Sequence, residues 1–159
     1  MSDRRRYKKP LSLEQELIGE WNLLESDNFE VFLEKIGFNK MHRQIATLQS
    51  GTLTISFHEG EWTMFTEGAY TIHRTIFRIG ETKEERTIDG RTVVNTWSAK
   101  ENEKLLWIEV NQSTGVEIKC ELFVKNQLLV HKMKCAGVRA TRTYTKSRVC
   151  TLRRLSSVC

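Results

Sequence analysis

Arg142 and Tyr144 stand two residues apart in the segment Gly137-Val138-Arg139-Ala140-Thr141-Arg142-Thr143-Tyr144. In an extended strand successive side chains point to opposite faces. Val138, Ala140, Arg142 and Tyr144 therefore share one face, and Arg139, Thr141 and Thr143 share the other. The first set begins apolar, which turns it inward and sets a guanidinium beside a phenol in an interior. A buried Arg without a partner costs several kcal/mol. A carboxylate satisfies it, because the flat guanidinium offers a fork of donors matched to two oxygens. Tyr144 can donate a further bond. The plain alternative is an outward pair on a terminal strand, since Arg and Tyr are common on sheet surfaces.

No other pattern asks for catalysis or a metal. The four cysteines, Cys120, Cys135, Cys150 and Cys159, include no C-x-x-C pair. His42, His58, His73 and His131 fall nowhere near them in metal-ligand order. There is no nucleophile elbow, phosphate loop or zinc motif. The chain is expected to be non-enzymatic and to need no cofactor. Cys159 is the last residue, so it makes no prenylation box.

The elements that would hold such a pair are mostly strands. Pro10 is the only proline, which leaves a long body suited to a continuous hydrogen-bonded sheet. Residues 16–25 alternate Leu17, Gly19, Trp21 and Leu23 and read as a strand. Ser26-Asp27-Asn28 are helix-cap residues, and Phe29, Phe32, Leu33 and Ile36 then recur at helical spacing until Gly37. Asn39 can cap a second short helix to about Leu48, with Met41, Ile45 and Leu48 on one stripe. From Gly51 the period becomes two: Leu53 to Phe57, Trp62 to Thr66, Tyr70 to Ile79, Arg91 to Ser98, Lys104 to Asn111, Val116 to Val124, Gln127 to Lys134 and Val138 to Lys146. Glu59-Gly60 is a turn and Asp89-Gly90 a hairpin signal. About ten strands with short links predict an antiparallel meander that closes to remove its edges. A closed barrel of this size holds side chains or a ligand, and polar residues in the inward register mark a ligand cavity.

Size and charge bound the rest. The 159 residues, with 39% hydrophobic and 28% charged, suit one folded domain. No apolar run has the length of a membrane helix, and the positive charges near Met1 have no apolar stretch behind them as a secretory signal would. The net charge of +5 is uneven: residues 1–12 and 146–159 carry +4 each, leaving −3 for the body between. The expected division is a basic extension over 1–12, a domain over 13–146 and a basic extension over 147–159. The tails are either solvated or touch phosphate, anionic lipid or an import receptor. The acidic body speaks against specific nucleic-acid binding. Arg153-Arg154-Leu155-Ser156 has the form of a basophilic kinase site, a form common by chance in basic tails.

The chain resembles the intracellular fatty-acid-binding protein family, which includes the cellular retinoid-binding proteins. The resemblance rests on Gly19-x-Trp21-x-Leu23, then Asn28-Phe29-Glu30-x-Phe32-Leu33-x-Lys35, on Gly37 to Ala46, Trp62 to Gly80 and Asp89-x-Arg91, and on the closing Arg142-x-Tyr144. It covers roughly residues 16–146. It implies a mainly β fold: a ten-stranded antiparallel up-and-down barrel capped by a helix-turn-helix lid. It implies a monomeric cytoplasmic carrier, in some relatives also nuclear, of long-chain fatty acids or retinoids, which meets anionic membranes and in some cases delivers ligand to a nuclear receptor. By the match Arg142 and Tyr144 bind the carboxylate, and Asp89 and Arg91 order internal water. Phe29, Phe32, Leu33, Phe38 and His42 line the lid side, and Tyr70 lies at the portal. Phe29 and Phe32 also fit ordinary helix-to-barrel packing. Lys40, His42 and Arg43 form a basic portal helix face, read either as solvated or as a membrane or nuclear-entry contact. One departure stands out: the family's second inward Arg falls on Cys120, unless one extra residue before Gly137 slips the register and turns Lys119 inward. His131, on the neighbouring strand, is internal in one of the two registers.

Overall fold

The computed structural model describes residues 12–48, 51–68, 72–101 and 103–147. Tyr70, Cys150, Cys159 and nearly all of both basic extensions lie outside the described residues. In chain order the elements are α1 (Leu13–Leu17), β1 (Gly19–Asp27), α2 (Phe29–Lys35), α3 (Lys40–Ala46), β2 (Gly51–His58), β3 (Glu61–Gly68), β4 (Ile72–Phe77), β5 (Thr82–Arg86), β6 (Thr92–Lys100), β7 (Lys104–Asn111), β8 (Glu117–Lys125), β9 (Leu128–Cys135) and β10 (Val138–Lys146).

The ten strands form one antiparallel sheet in the order β4-β3-β2-β1-β10-β9-β8-β7-β6-β5. Every neighbour is a sequence neighbour except β1 and β10, whose pairing closes the meander. The expected barrel is thus present, nearly closed. Its seam lies between β4 and β5, which end the sheet without backbone pairing to each other. Side chains cross that seam. Lys83 Nζ donates to Ile76 O at 2.7 Å, His73 Nε2 lies 3.3 Å from Arg86 O, and Thr75 Oγ1 donates to the Glu85 carboxylate.

Two local readings of the sequence need correction. Leu17 does not begin a strand. It ends α1, which Ser12 starts with a capping box: its hydroxyl accepts from Gln15 N while Gln15 Oε1 accepts from Ser12 N. Leu13 and Leu17 lie one helical turn apart and are both buried, and Trp21 Nε1 donates to Leu17 O at 2.9 Å. The short helix is held by this packing and capping, because its length alone would not sustain it in water. The stripe Met41, Ile45, Leu48 is likewise not a buried face. Met41 and Leu48 are exposed and α3 buries no residue fully.

Much of the interior is filled by an aromatic stack. Phe57, Trp62, Phe77, Trp97, Trp107 and His131 follow one another from β2 to β9, with centroid separations from 3.6 Å (Phe77–Trp97) to 6.2 Å (Trp62–Phe77). Trp62 and Trp97 are almost wholly buried. On the other side, α2 rests on β10 through Phe32 and Leu33 and leaves space beneath the lid.

Candidate functional site

β10 carries the guanidinium–phenol pair on its inner face, with Ala140 and Tyr144 buried and Arg139 exposed. Across the sheet Arg142 stands opposite His131 on β9 and opposite Ser26 on β1. Ser26 faces inward because of a bulge. Pairing to β10 shifts between Leu23 and Glu25, so the inward set changes from Trp21 and Leu23 to Ser26. Arg142 Nε donates to Ser26 Oγ at 3.1 Å, and its guanidinium lies 4.2 Å from the centre of the Phe29 ring on the lid. Its terminal nitrogens make no hydrogen bond among the described residues, and no carboxylate there lies within ion-pair distance. Burial pulls its pKa below the ordinary value, with Tyr144 opposing, and burial raises that of Tyr144, with Arg142 opposing.

This pair opens onto a cavity of about 370 Å³ under the lid. Leu23, Phe29, Leu33, Phe38, His42 and Ile45 line much of its wall, with Asp89 at one side. A second lobe of about 260 Å³ adjoins it, sharing Phe29, Leu33, Phe38, Ile88 and Asp89 and reaching Phe32, Arg91, Asn95, Trp107, Glu109, Cys120 and His131. We call them the lid lobe and the barrel lobe. Both together fall within the roughly 300–1,000 Å³ of small-molecule sites.

Asp89 and Arg91 come together at the β5–β6 hairpin. Arg91 Nε donates to Asp89 Oδ2 at 2.7 Å, Thr87 Oγ1 donates to Asp89 Oδ1, and Arg91 Nη1 lies 3.5 Å from Glu109 Oε2. Burial alone would raise the Asp89 pKa, but the hydrogen bonds from Arg91 and Thr87 and the Arg91 charge outweigh it and hold the carboxyl below its usual value. Glu109 moves the other way: burial raises it, Arg91 opposes, and Asp89 and Glu85 push it further up. Phe38 of the lid covers Arg91 at 5.4 Å, as Phe29 covers Arg142. Both interior guanidiniums are thus roofed by lid rings.

Cys120 does point inward. Its register runs unbroken from Trp107 on β7 to Met133 on β9, and Lys119 faces out, 3.9 Å from Glu117. The β9–β10 turn is a tight two-residue hairpin in which Cys135 pairs with Val138 and Ala136 takes a φ of 45°, and no register slip reaches Cys120. Cys120 lines the barrel lobe, however, and not the lobe that Arg142 and Tyr144 open onto. Burial, then the nearby Glu109 charge, pushes its thiol pKa well up, so the position is neutral. On the lid, Lys40 is exposed and His42 half-buried. Arg43, the third basic residue of this helix, is more engaged. It is half-buried, and its Nη1 donates to Phe38 O at 2.7 Å. Asn28 occupies the helix-cap position, but its side chain makes no cap bond and instead donates to Arg139 O at 2.8 Å, pinning the lid to β10.

A nearly closed meander with a helical lid over a largely apolar cavity, holding a cation with no ion-pair partner among the described residues, is the build of a small-molecule-binding barrel. The chain is 31% identical over 129 residues, 81% of its own length and 96% of the relative's, to the human protein named fatty acid-binding protein 9. A solved Schistosoma mansoni fatty acid binding protein in complex with arachidonic acid matches with a TM-score of 0.78 at 27% identity, over 82% of this chain and 96% of that one. Mouse cellular retinoic acid-binding protein 2 is 35% identical over a shorter stretch of 75 residues, 46% of this chain and 54% of that protein. No family model matches. The chain belongs to the fatty acid-binding protein family.

Proposed function

We propose that this protein binds a long-chain fatty acid inside the barrel and carries it through the cytosol, without catalysis. The observation that carries the reading is Arg142: a half-buried cation with no carboxylate within ion-pair distance among the described residues, opening on a largely apolar cavity. The ligand carboxylate takes the terminal nitrogens of Arg142 and the Tyr144 hydroxyl, while Ser26 holds Nε and fixes the plane of the fork. Asp89, Glu109 and Arg91 answer one another, so Arg91 does not compete for the ligand. The acyl chain lies against Phe29, Leu33, Phe38 and His42.

One guanidinium suffices on energetic grounds. Each buried methylene contributes about 0.8 kcal/mol, so a long chain offsets much of the roughly 4–15 kcal/mol cost of association. With neutral Cys120 at the position where the family resemblance implies a second arginine, most of the affinity comes from the tail. The basic portal residue Lys40 and the N-terminal extension then serve transient contact with anionic membranes. The likeness to a retinoic acid-binding protein keeps one alternative ligand in view, since the same hook takes any apolar carboxylate and a retinoid carrier could deliver to a nuclear receptor.

Native mass spectrometry of the purified protein tests the reading. A co-purifying fatty acid, displaced by added oleic acid more readily than by retinoic acid, is the expected result. A barrel that takes up neither acid would overturn it.

A further inference from the structure

The barrel lobe contains polar atoms that the fold itself does not use. Among the described residues Asn95 Oδ1 and His131 Nε2 are buried without a hydrogen-bond partner, and both residues line this lobe. Asn95 spends its amide on the Glu85 carboxylate, which leaves its oxygen as an acceptor. His131 is stacked against Trp107 at 5.1 Å, so its ring cannot swing away to find another partner. Native interiors seldom leave such groups unpaired.

The charge around them selects what could pair with them. The carboxyl groups of Glu85, Asp89 and Glu109 disfavour a second anion in this lobe, and Arg91 and Arg142 flank it against a cation. Cys120 adds no charge at the centre of the wall. Burial, reinforced by the Arg142 charge, pulls the His131 pKa down to about 3, so the ring is a neutral imidazole whose Nε2 either accepts or donates. A hydroxyl both donates and accepts, and it fits a carbonyl acceptor and a neutral imidazole without burying new charge.

We propose that the barrel lobe is a subsite for a hydroxyl group on the acyl chain, making hydroxylated fatty acids the preferred ligands. The inference rests on the fatty-acid reading above and names the substrate class within it. Arg142 and His131 are direct cross-strand partners, so one chain can reach both, its carboxylate on the first and its hydroxyl on the second.

The test is a set of stearic acids with the hydroxyl walked along the chain, each compared with stearic acid itself by calorimetry. One position binds about 10-fold tighter than stearic acid, a ratio set by one hydrogen bond to an otherwise unpaired buried group. In His131→Phe, which keeps the ring stack, that ratio falls to about one. In His131→Gln, which keeps a donor and an acceptor, the preference survives in part. Circular dichroism and thermal melting verify that both variants fold. Equal affinity at every position overturns the proposal and leaves water as the partner of these atoms, as does a preference that persists in His131→Phe. If neither stearic acid nor any hydroxylated acid binds, the fatty-acid reading falls as well.

Discussion

The two halves of the interior are built to opposite ends. From β2 through β7 the stack of Phe57, Trp62, Phe77, Trp97 and Trp107 packs much of the barrel beside the barrel lobe, with ring planes only 8° apart at Phe77–Trp97. Beneath α2 and α3 the space is open, and Arg142 on its wall meets no carboxylate within ion-pair distance among the described residues. The packed half gains dispersion and excludes water, a contribution that does not depend on a ligand. The open half forgoes that gain around Arg142, and in the proposed function a ligand carboxylate would supply it. On that reading stability and binding fall to different walls, and each should be open to disturbance with limited damage to the other.

Trp97→Ala is the strongest way to erase the difference, because it opens a void in the packed half. It should cost about 3–5 kcal/mol of unfolding free energy in a denaturant titration, with ligand affinity falling far less. Arg142→Gln acts on the open half. Fatty-acid affinity should drop about 10- to 100-fold by calorimetry, or roughly 1.4–2.7 kcal/mol, while the melting temperature of the ligand-free protein holds or rises. A ligand-free protein that melts lower would mean that Arg142 supports the fold itself.

His131 lies on the boundary and carries a pH signature. Its pKa in the fold, about 3, is below the ordinary 6.5, so its stability contribution is whole above pH 6.5 and is lost as pH falls toward 3. The slope approaches about 1.36 kcal/mol per pH unit, or about 2 kcal/mol lost by pH 5. His131→Phe should remove that loss, which parallel denaturant titrations across pH would read. The smallest effect is expected at the lid. Arg43→Gln removes the bond from the guanidinium to Phe38 O and should cost about 1 kcal/mol, seen as faster amide exchange in α3 and faster ligand release.

The open half was the more legible of the two. On β10 strict alternation places Arg142 and Tyr144 on the face of Ala140, and the structure keeps that register. Glu109 gives the same signal, since it shares a face with Leu105 and Trp107, but a lone Glu near a strand end fits a solvent-facing edge equally well. Ser26 could not be read, because the bulge near Leu24 reverses which face is inward and hydrophobic alternation does not announce it. β5 is charged along Lys83-Glu84-Glu85-Arg86, so apolar periodicity passes it by. α1 had a legible start in Ser12 and Gln15, yet Leu17 also fits the alternation of the following strand, and the longer pattern took it. Pairings that depend on closure, such as Asn28 with Arg139 or Arg43 with Phe38 O, join groups whose meeting no local pattern encodes.

The seam gives the wall a hinge line. β4 and β5 each end the sheet, and exposed strand edges invite pairing between chains. Here the two edges are turned toward each other, and among the described residues they are laced by Thr75 to Glu85, Lys83 to Ile76 and His73 to Arg86. Such lacing can be undone and retied without breaking a single backbone rung. A widening along this line would cost only these side-chain contacts among the described residues, and while they hold, the two edges face each other and not other molecules.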